Sequence, residues 1–215
     1  MVSRDRIGEG LPKDVVSMKL YHAPLSPYAR KVRAAVILLG LEARVTEIAV
    51  RVSDSPPEVL AANPLCKIPA LELPDGEGVY DSRVIVDYLD GLAGGGRLVP
   101  AGGEARRRVL RMQALGDGLA DAAILVRTLI PAGLAHDHPL VQRQLAAVRR
   151  SLDRLESEPP ALEPIDIGGL SVACALGYLD VRFADDPWRL DRPALAAWYE
   201  AACRLPCLAR TAVTL

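Results

Sequence analysis

Three short stretches hold the residues best able to do chemistry. The first is His22-Ala-Pro-Leu-Ser-Pro-Tyr28, where a β-rich run gives way to a helical one. Ser26 is a favoured helix N-cap and Pro27 suits the first helical position. Val32, Val36 and Leu39 then recur at helical spacing, and Gly40 closes the helix. A hydroxyl at such a cap sits where unpaired backbone N–H groups and the positive end of a helix dipole converge. That place suits an anion or a thiolate. The second stretch is Asn63-Pro-Leu-Cys-Lys-Ile-Pro69. Pro69 stands where a prolyl ring breaks a sheet ladder unless the site is special. A cis Ile68–Pro69 bond would leave the N–H and C=O of Ile68 free for an extended peptide. In the third, Asp81-Ser82 opens a helix, offering a carboxylate to an amine and a hydroxyl with free N–H groups to a carboxylate. Lys67 adds a cation.

Several other chemistries are disfavoured. A serine nucleophile needs a base. His22 lies four residues before Ser26 but on a strand that would have to fold back, and no Gly-x-Ser-x-Gly elbow is present. By itself Ser26 therefore reads as a helix cap worth about 1 kcal/mol. Cys203 and Cys207 are split by Pro206 with no histidine nearby, and His136-Asp-His138-Pro139 reads as a solvated turn, so no metal site is expected. Arg106-Arg-Arg108 with Arg111 reads as a solvated helix face. With a formal net charge of -1 and only 4% aromatic residues, neither a basic field nor stacking platforms for nucleic acid are expected. No apolar run approaches the ~20 residues of a membrane span, and the polar leader lacks the apolar core of a signal peptide. Four scattered cysteines suggest reduced thiols and a cytoplasmic setting.

Two halves of different character must position these residues. Lys19–Tyr21 and Ala43–Val50 read as strands, Pro56–Ala62 as a short helical turn, and Ile68–Leu73 as a buried strand. Asp75-Gly76 signals a hairpin leading to Val79–Tyr80. Ser82 opens a helix with Val84, Ile85, Tyr88 and Leu89 on one face. This is the order of an α/β thioredoxin-like domain, assigned to 18–94. Glycines from Gly94 to Gly103 punctuate a linker. Beyond it, 103–215 reads as an all-α helical bundle. Val109, Met112, Gly116, Leu119, Ala123, Val126 and Ile130 line one long helix stopped by Pro131, and Val141, Leu145, Val148, Leu152 and Leu155 line the next. Leu170 to Ala184 is apolar nearly all round, as a helix buried within a bundle would be. Leu190–Cys203 and Leu205–Val213 finish the chain. Residues 1–17 form an N-terminal extension with no assigned role.

Together, Ser26-Pro-Tyr-Ala-Arg30, Asn63-Pro-Leu-Cys-Lys-Ile-Pro69, Asp81-Ser82 and the helical half with Ala175-Leu-Gly-Tyr-Leu-Asp180 resemble the glutathione S-transferase superfamily. The likeness is closest to bacterial members with Ser-Pro-Phe or Ser-Pro-Tyr at the active site, akin to the tau class. It implies that Ser26 donates a hydrogen bond to the glutathione sulfur and that Lys67 reaches the glycyl carboxylate. Ile68 would pair with the cysteinyl backbone before a cis Pro69, and Asp81 with Ser82 would hold the γ-glutamyl end. The implied enzyme is a cytoplasmic, homodimeric detoxifying transferase that uses glutathione as co-substrate, with no metal, on a small apolar electrophile. Two other readings follow from the same resemblance: a fold relative that binds partners without catalysis, and a glutathione-dependent peroxidase or thiol–disulfide reductase. The latter needs a cysteine where Ser26 stands.

Three departures from the family pattern stand out. Cys66 occupies a usual glycine position, either as a small filling side chain or as a thiol able to form a mixed disulfide with glutathione. The capping box before the buried helix reads Asp166-Ile-Gly-Gly169, which keeps a cap but predicts a weakened first turn. The leader before Met18 has no counterpart.

Overall fold

The computed structural model describes residues 17–213, so the N-terminal extension lies almost entirely outside it. The N-terminal half comprises β1 (Met18–His22), α1 (Pro27–Leu38), β2 (Val45–Ala49), α2 (Pro57–Ala62), β3 (Ala70–Glu72), β4 (Gly78–Val79) and α3 (Ser82–Leu92). Its sheet runs β2-β1-β3-β4. β1 pairs parallel with β2, Leu20 opposite Glu47, and antiparallel with β3, Leu20 opposite Leu71. This mixed four-stranded sheet is the thioredoxin-like arrangement expected from the sequence. The C-terminal half is helical: α4 (Gly103–Leu129), α5 (Pro139–Ser157), α6 (Ile167–Arg182), α7 (Pro193–Cys203) and the single turn α8 (Pro206–Ala209).

β2 and β3 are shorter than their sequence patterns, whereas β1 extends one residue further at each end and β4 is shifted back by one. Glu42–Arg44 wind into a 3-10 turn, so β2 begins only at Val45. β3 begins at Ala70, which leaves Ile68 and the N–H-less Pro69 outside the ladder. On α3 the buried stripe is rotated by about one residue from the expected one. Ile85, Val86 and Leu89 are buried while Val84 is half exposed. Helix α1 is buried well beyond its apolar stripe, because α3, α6 and α8 all pack against it. Around α5 the pattern and the outcome coincide: Val141, Leu145, Val148, Leu152 and Leu155 all face the core.

Glycines set how closely α4 and α6 approach. A Cβ on Gly116 would lie 2.7 Å from the backbone of Ser171 and Val172, and one on Gly168 would lie 2.7 Å from Met112 Cβ. The Gly168-Gly169 pair thus has a packing reason that the pattern of α6 did not reveal. Asp166 still caps the helix, accepting from the Gly169 N–H at 3.0 Å. The linker is also ordered by one side chain. The buried Asp90 carboxylate accepts the N–H groups of Gly96, Arg97, Leu98 and Val99 at 3.0–3.2 Å. The carbonyl of Leu98 in turn accepts the Ile167 N–H at the start of α6, at 3.2 Å.

Candidate active site

Between the two halves lies a cavity of about 720 Å³, within the range of about 300–1,000 Å³ usual for small-molecule sites. Ser26, Lys67, Ile68, Pro69, Asp81 and Ser82 all line it. Local sequence explains how each comes there. Ser26 has extended backbone, and its Oγ accepts the Ala29 N–H at 3.2 Å. The Arg30 N–H goes to the Ser26 carbonyl, and Pro27 has no N–H to offer. Among the described residues the Tyr28 N–H is then the orphan donor of the first turn. With one lone pair engaged by the cap, the Ser26 hydroxyl keeps its proton for an acceptor in the cavity.

The second segment is shaped by Asn63. Its buried side chain donates to the Lys67 carbonyl at 2.9 Å and accepts the Leu65 N–H at 3.0 Å. This turn ends in a cis Ile68–Pro69 bond. Among the described residues, neither the N–H nor the C=O of Ile68 has a backbone partner. Cys66 lies in the left-handed region at φ +50°, a conformation that costs a glycine least, which is why glycine suits the position. Its Sγ lies 3.8 Å from the Val52 carbonyl, to which it donates. At the third segment the Tyr80–Asp81 bond is also cis, and the Asp81 carboxylate caps α3 through the Arg83 N–H at 2.9 Å. Ser82 is buried at the first helical position.

The helical half supplies the opposite wall, and the sequence reading missed all of it. Asp117, Asp121, Ile124, Leu125 and Thr128 of α4 line the cavity, together with Tyr178 of α6. Asp117 is 4% exposed and bonds two cations. Lys31 Nζ, itself 1% exposed, donates to one carboxylate oxygen at 2.7 Å, and Arg83 Nε donates to the other at 3.0 Å. This pairing ties the helices that follow Ser26 and Asp81 to the same turn of α4. Removing Asp117 would leave Lys31 buried without a partner, at a cost of about 3–5 kcal/mol. One turn further on, the Tyr28 hydroxyl donates to Asp121. Burial first, then Asp121, pushes the phenol far above its ordinary range, so Tyr28 stays protonated as a donor. The available signal for this wall was Asp117 and Asp121 at i and i+4, two acids sharing a helix face with Ile124 and Leu125 and lying off the apolar stripe.

The remaining cysteines behave as core side chains. Burial raises the Cys174 thiol to about 11 and pushes Cys207 upward as well. Among the described residues no cluster of His, Cys, Asp and Glu could hold a metal, and no helix is long and apolar enough to cross a membrane.

A mixed four-stranded sheet joined to a helical bundle across one cleft defines a two-part fold with a cavity of small-molecule size. Comparison with known proteins names it. Residues 20–97 match the N-terminal domain of glutathione S-transferases, and residues 139–201 match their C-terminal domain. A glutathione transferase family member from Pseudomonas fluorescens Pf-5, solved with bound glutathione, is 42% identical. The match covers 93% of this chain and 100% of that one, with a TM-score of 0.85. A glutathione S-transferase from Methylobacillus flagellatus KT, also solved with glutathione bound, is 36% identical over 92% of this chain and 100% of its own, with a TM-score of 0.80. The GST-like protein YibF of Escherichia coli K12 is 28% identical over 90% of this chain and 98% of its own. The chain belongs to the glutathione S-transferase family.

Proposed function

We propose that this chain is a cytoplasmic glutathione transferase of the serine type, akin to the tau class, that conjugates glutathione to small electrophiles in detoxification. Its glutathione-binding domain spans 18–94 and its helical domain 103–215, behind an N-terminal extension at 1–17. The observation that carries this reading is the convergence of Ser26, the unpaired backbone of Ile68 and the Asp81-Ser82 helix start on one cavity. These groups match a tripeptide in order. Asp81 and Ser82 receive the charged γ-glutamyl end, Ile68 pairs with the cysteinyl backbone beside Pro69, and Lys67 meets the glycyl carboxylate. The sulfur then lies at Ser26.

The chemistry is thiol activation. A free thiol with a pKa of about 8.5 is only a few per cent thiolate at neutral pH. The Ser26 hydroxyl donates to the sulfur, and the positive end of α1 favours the same charged form. Lowering the pKa by about two units corresponds to ~2.7 kcal/mol of differential stabilisation. The thiolate attacks an electrophile held between Tyr28, Ile124, Leu125 and Tyr178, and the electrophile's leaving group or carbonyl takes the displaced electron pair. Serine at position 26 disfavours disulfide-exchange chemistry, which needs a nucleophilic thiol in the protein. The homodimer follows from the family resemblance, and the exposed apolar side chains of Leu65, Tyr80 and Val84 are consistent with it.

Titration calorimetry with glutathione, followed by conjugation of 1-chloro-2,4-dinitrobenzene monitored by absorbance, tests the reading. Glutathione binding with enzyme-dependent conjugation is the expected result. Binding without turnover would mark the chain as a non-catalytic member, and no binding would refute the site assignment.

A further inference from the structure

Two acids of α4 stand one turn apart on the cavity wall, and their electrostatic circumstances differ. Asp117 is buried and carries two bonded cations, Lys31 and Arg83. Asp121 is exposed to the cavity mouth and has no Lys or Arg within ion-pair distance among the described residues. Arg83 feels Asp121 only at longer range, with its Nε committed to Asp117. The neutral Tyr28 hydroxyl fixes one Asp121 oxygen and leaves the other free. Asp121 lines the cavity from the helical half, as Ile124, Leu125 and Tyr178 do, whereas the segments assigned to the tripeptide all lie in the N-terminal half. The surrounding wall is mostly apolar, formed by Ile124, Leu125 and Tyr178 with Thr128, and Arg83 lines the same cavity. An apolar wall lowers the local dielectric and strengthens the field of a lone charge.

We infer that Asp121 sets the electrophile class. The pocket takes apolar electrophiles bearing a cationic or hydrogen-bond-donating end and rejects those bearing a carboxylate. The free oxygen accepts a bond from an ammonium or amide N–H of the substrate, whereas an anionic group there meets like charge with no cation bonded to it, since the nearest guanidinium, Arg83, is engaged by Asp117. This inference rests on the glutathione site proposed above, and it requires no new covalent step.

Product-like ligands test it without turnover. The probes are glutathione as the reference and three thioethers of it, S-propylglutathione, S-(2-aminoethyl)glutathione and S-(2-carboxyethyl)glutathione, which differ chiefly in the charge carried beyond the sulfur. Each dissociation constant is divided by the same protein's value for glutathione. The wild-type protein should bind the aminoethyl compound about tenfold or more tightly than the carboxyethyl one, an order of magnitude suited to one partly exposed charge at close range. Asp121→Asn keeps an acceptor for Tyr28 but removes the charge, and should compress the ratio to within about threefold. Asp121→Glu should retain it, which a mere packing role would not do. Added salt should shrink the wild-type ratio and leave that of Asp121→Asn unmoved. An equal ratio in wild type and Asp121→Asn overturns the inference while the glutathione site stands. Failure of glutathione itself to bind refutes the site and this inference together.

Discussion

Replacing Ser26 separates two jobs that one hydroxyl performs. Its Oγ accepts the Ala29 N–H at 3.2 Å, so Ser26→Ala removes a helix cap worth about 0.5–2 kcal/mol. At about 2–4 °C per kcal/mol for a chain of this size, the melting temperature should fall by a few degrees. The same change removes a hydrogen-bond donor to a thiolate, an interaction worth about 1.5–3 kcal/mol. At about 1.36 kcal/mol per pKa unit, the bound thiol should rise by roughly one to two units. Near neutral pH the turnover number should drop about tenfold or more, and the gap should close as the pH passes the pKa of the unassisted thiol. The assay is a pH profile of kcat with glutathione saturating, alongside the ultraviolet absorbance of the bound thiolate. Ser26→Asp completes the experiment. Its carboxylate can accept the Ala29 N–H and keep the cap, but it has no proton to give and places a negative charge beside the sulfur. It should melt near the wild type yet activate glutathione less well than Ser26→Ala. If the profile of Ser26→Ala overlays the wild type, or Ser26→Asp is fully active, Ser26 is a cap and nothing more.

Other expectations come from neighbouring parts of the molecule. Asp81→Ala should raise the glutathione KM several-fold through loss of a charge-assisted bond of about 1–3 kcal/mol, with kcat little changed; an unchanged KM in both Asp81→Ala and Ser82→Ala would unseat the γ-glutamyl assignment. Asp81 also caps α3 through the Arg83 N–H, so only the Asp81 variant should lose cap stability, seen as a lower melting temperature. Gly116→Ala forces a methyl to 2.7 Å from the backbone of α6. Calorimetry should show a melting point lower by several degrees, from about 1–3 kcal/mol of overpacking. His22 is buried with its Nδ1 unpaired, and burial, then Arg33, lowers its pKa against the opposing pull of Glu47. Below about pH 6.5 the unfolded chain gains a proton that the folded one resists. Urea titrations should therefore show stability falling as pH drops through that window, and His22→Gln should flatten the slope.

The sheet-domain half of the candidate site was legible because its geometry is written locally. A cap before a proline, an Ile-Pro at a strand start and an acid-serine pair at a helix start each act through their own backbone. The opposite wall was not, because Asp117, Asp121 and Tyr178 acquire meaning only when α4 and α6 cross the sheet domain. No short-range pattern states where that crossing falls. Lys31 shows the same limit. On a helical wheel it reads as a solvated cation, yet the helical domain covers it and supplies its counter-ion. The rotated stripe of α3 has a smaller cause, since Val84 and Val86 are equally apolar and only the tilt of the helix on the sheet decides which is buried. Gly168 and Gly169 looked like weak points by propensity, and their space is in fact occupied by Met112 and Ile165.

The Asp90 carboxylate bears on how chimeras of this chain could be built. Its Oδ1 takes the N–H groups of Arg97 and Leu98, and its Oδ2 takes those of Gly96 and Val99. Asparagine, the nearest isostere, would turn an NH₂ towards two of those donors, so even a swap of one atom would undo half the bracket. The glycine-rich stretch therefore moves with α3, although its composition invites a cut there. A crossover between relatives placed at Gly94–Gly96 would part Asp90 from its partners whenever the incoming segment turned differently. Joining instead between Pro100 and Gly102, after the last bonded N–H, would carry the bracket over whole and leave the recipient's own helices to meet it.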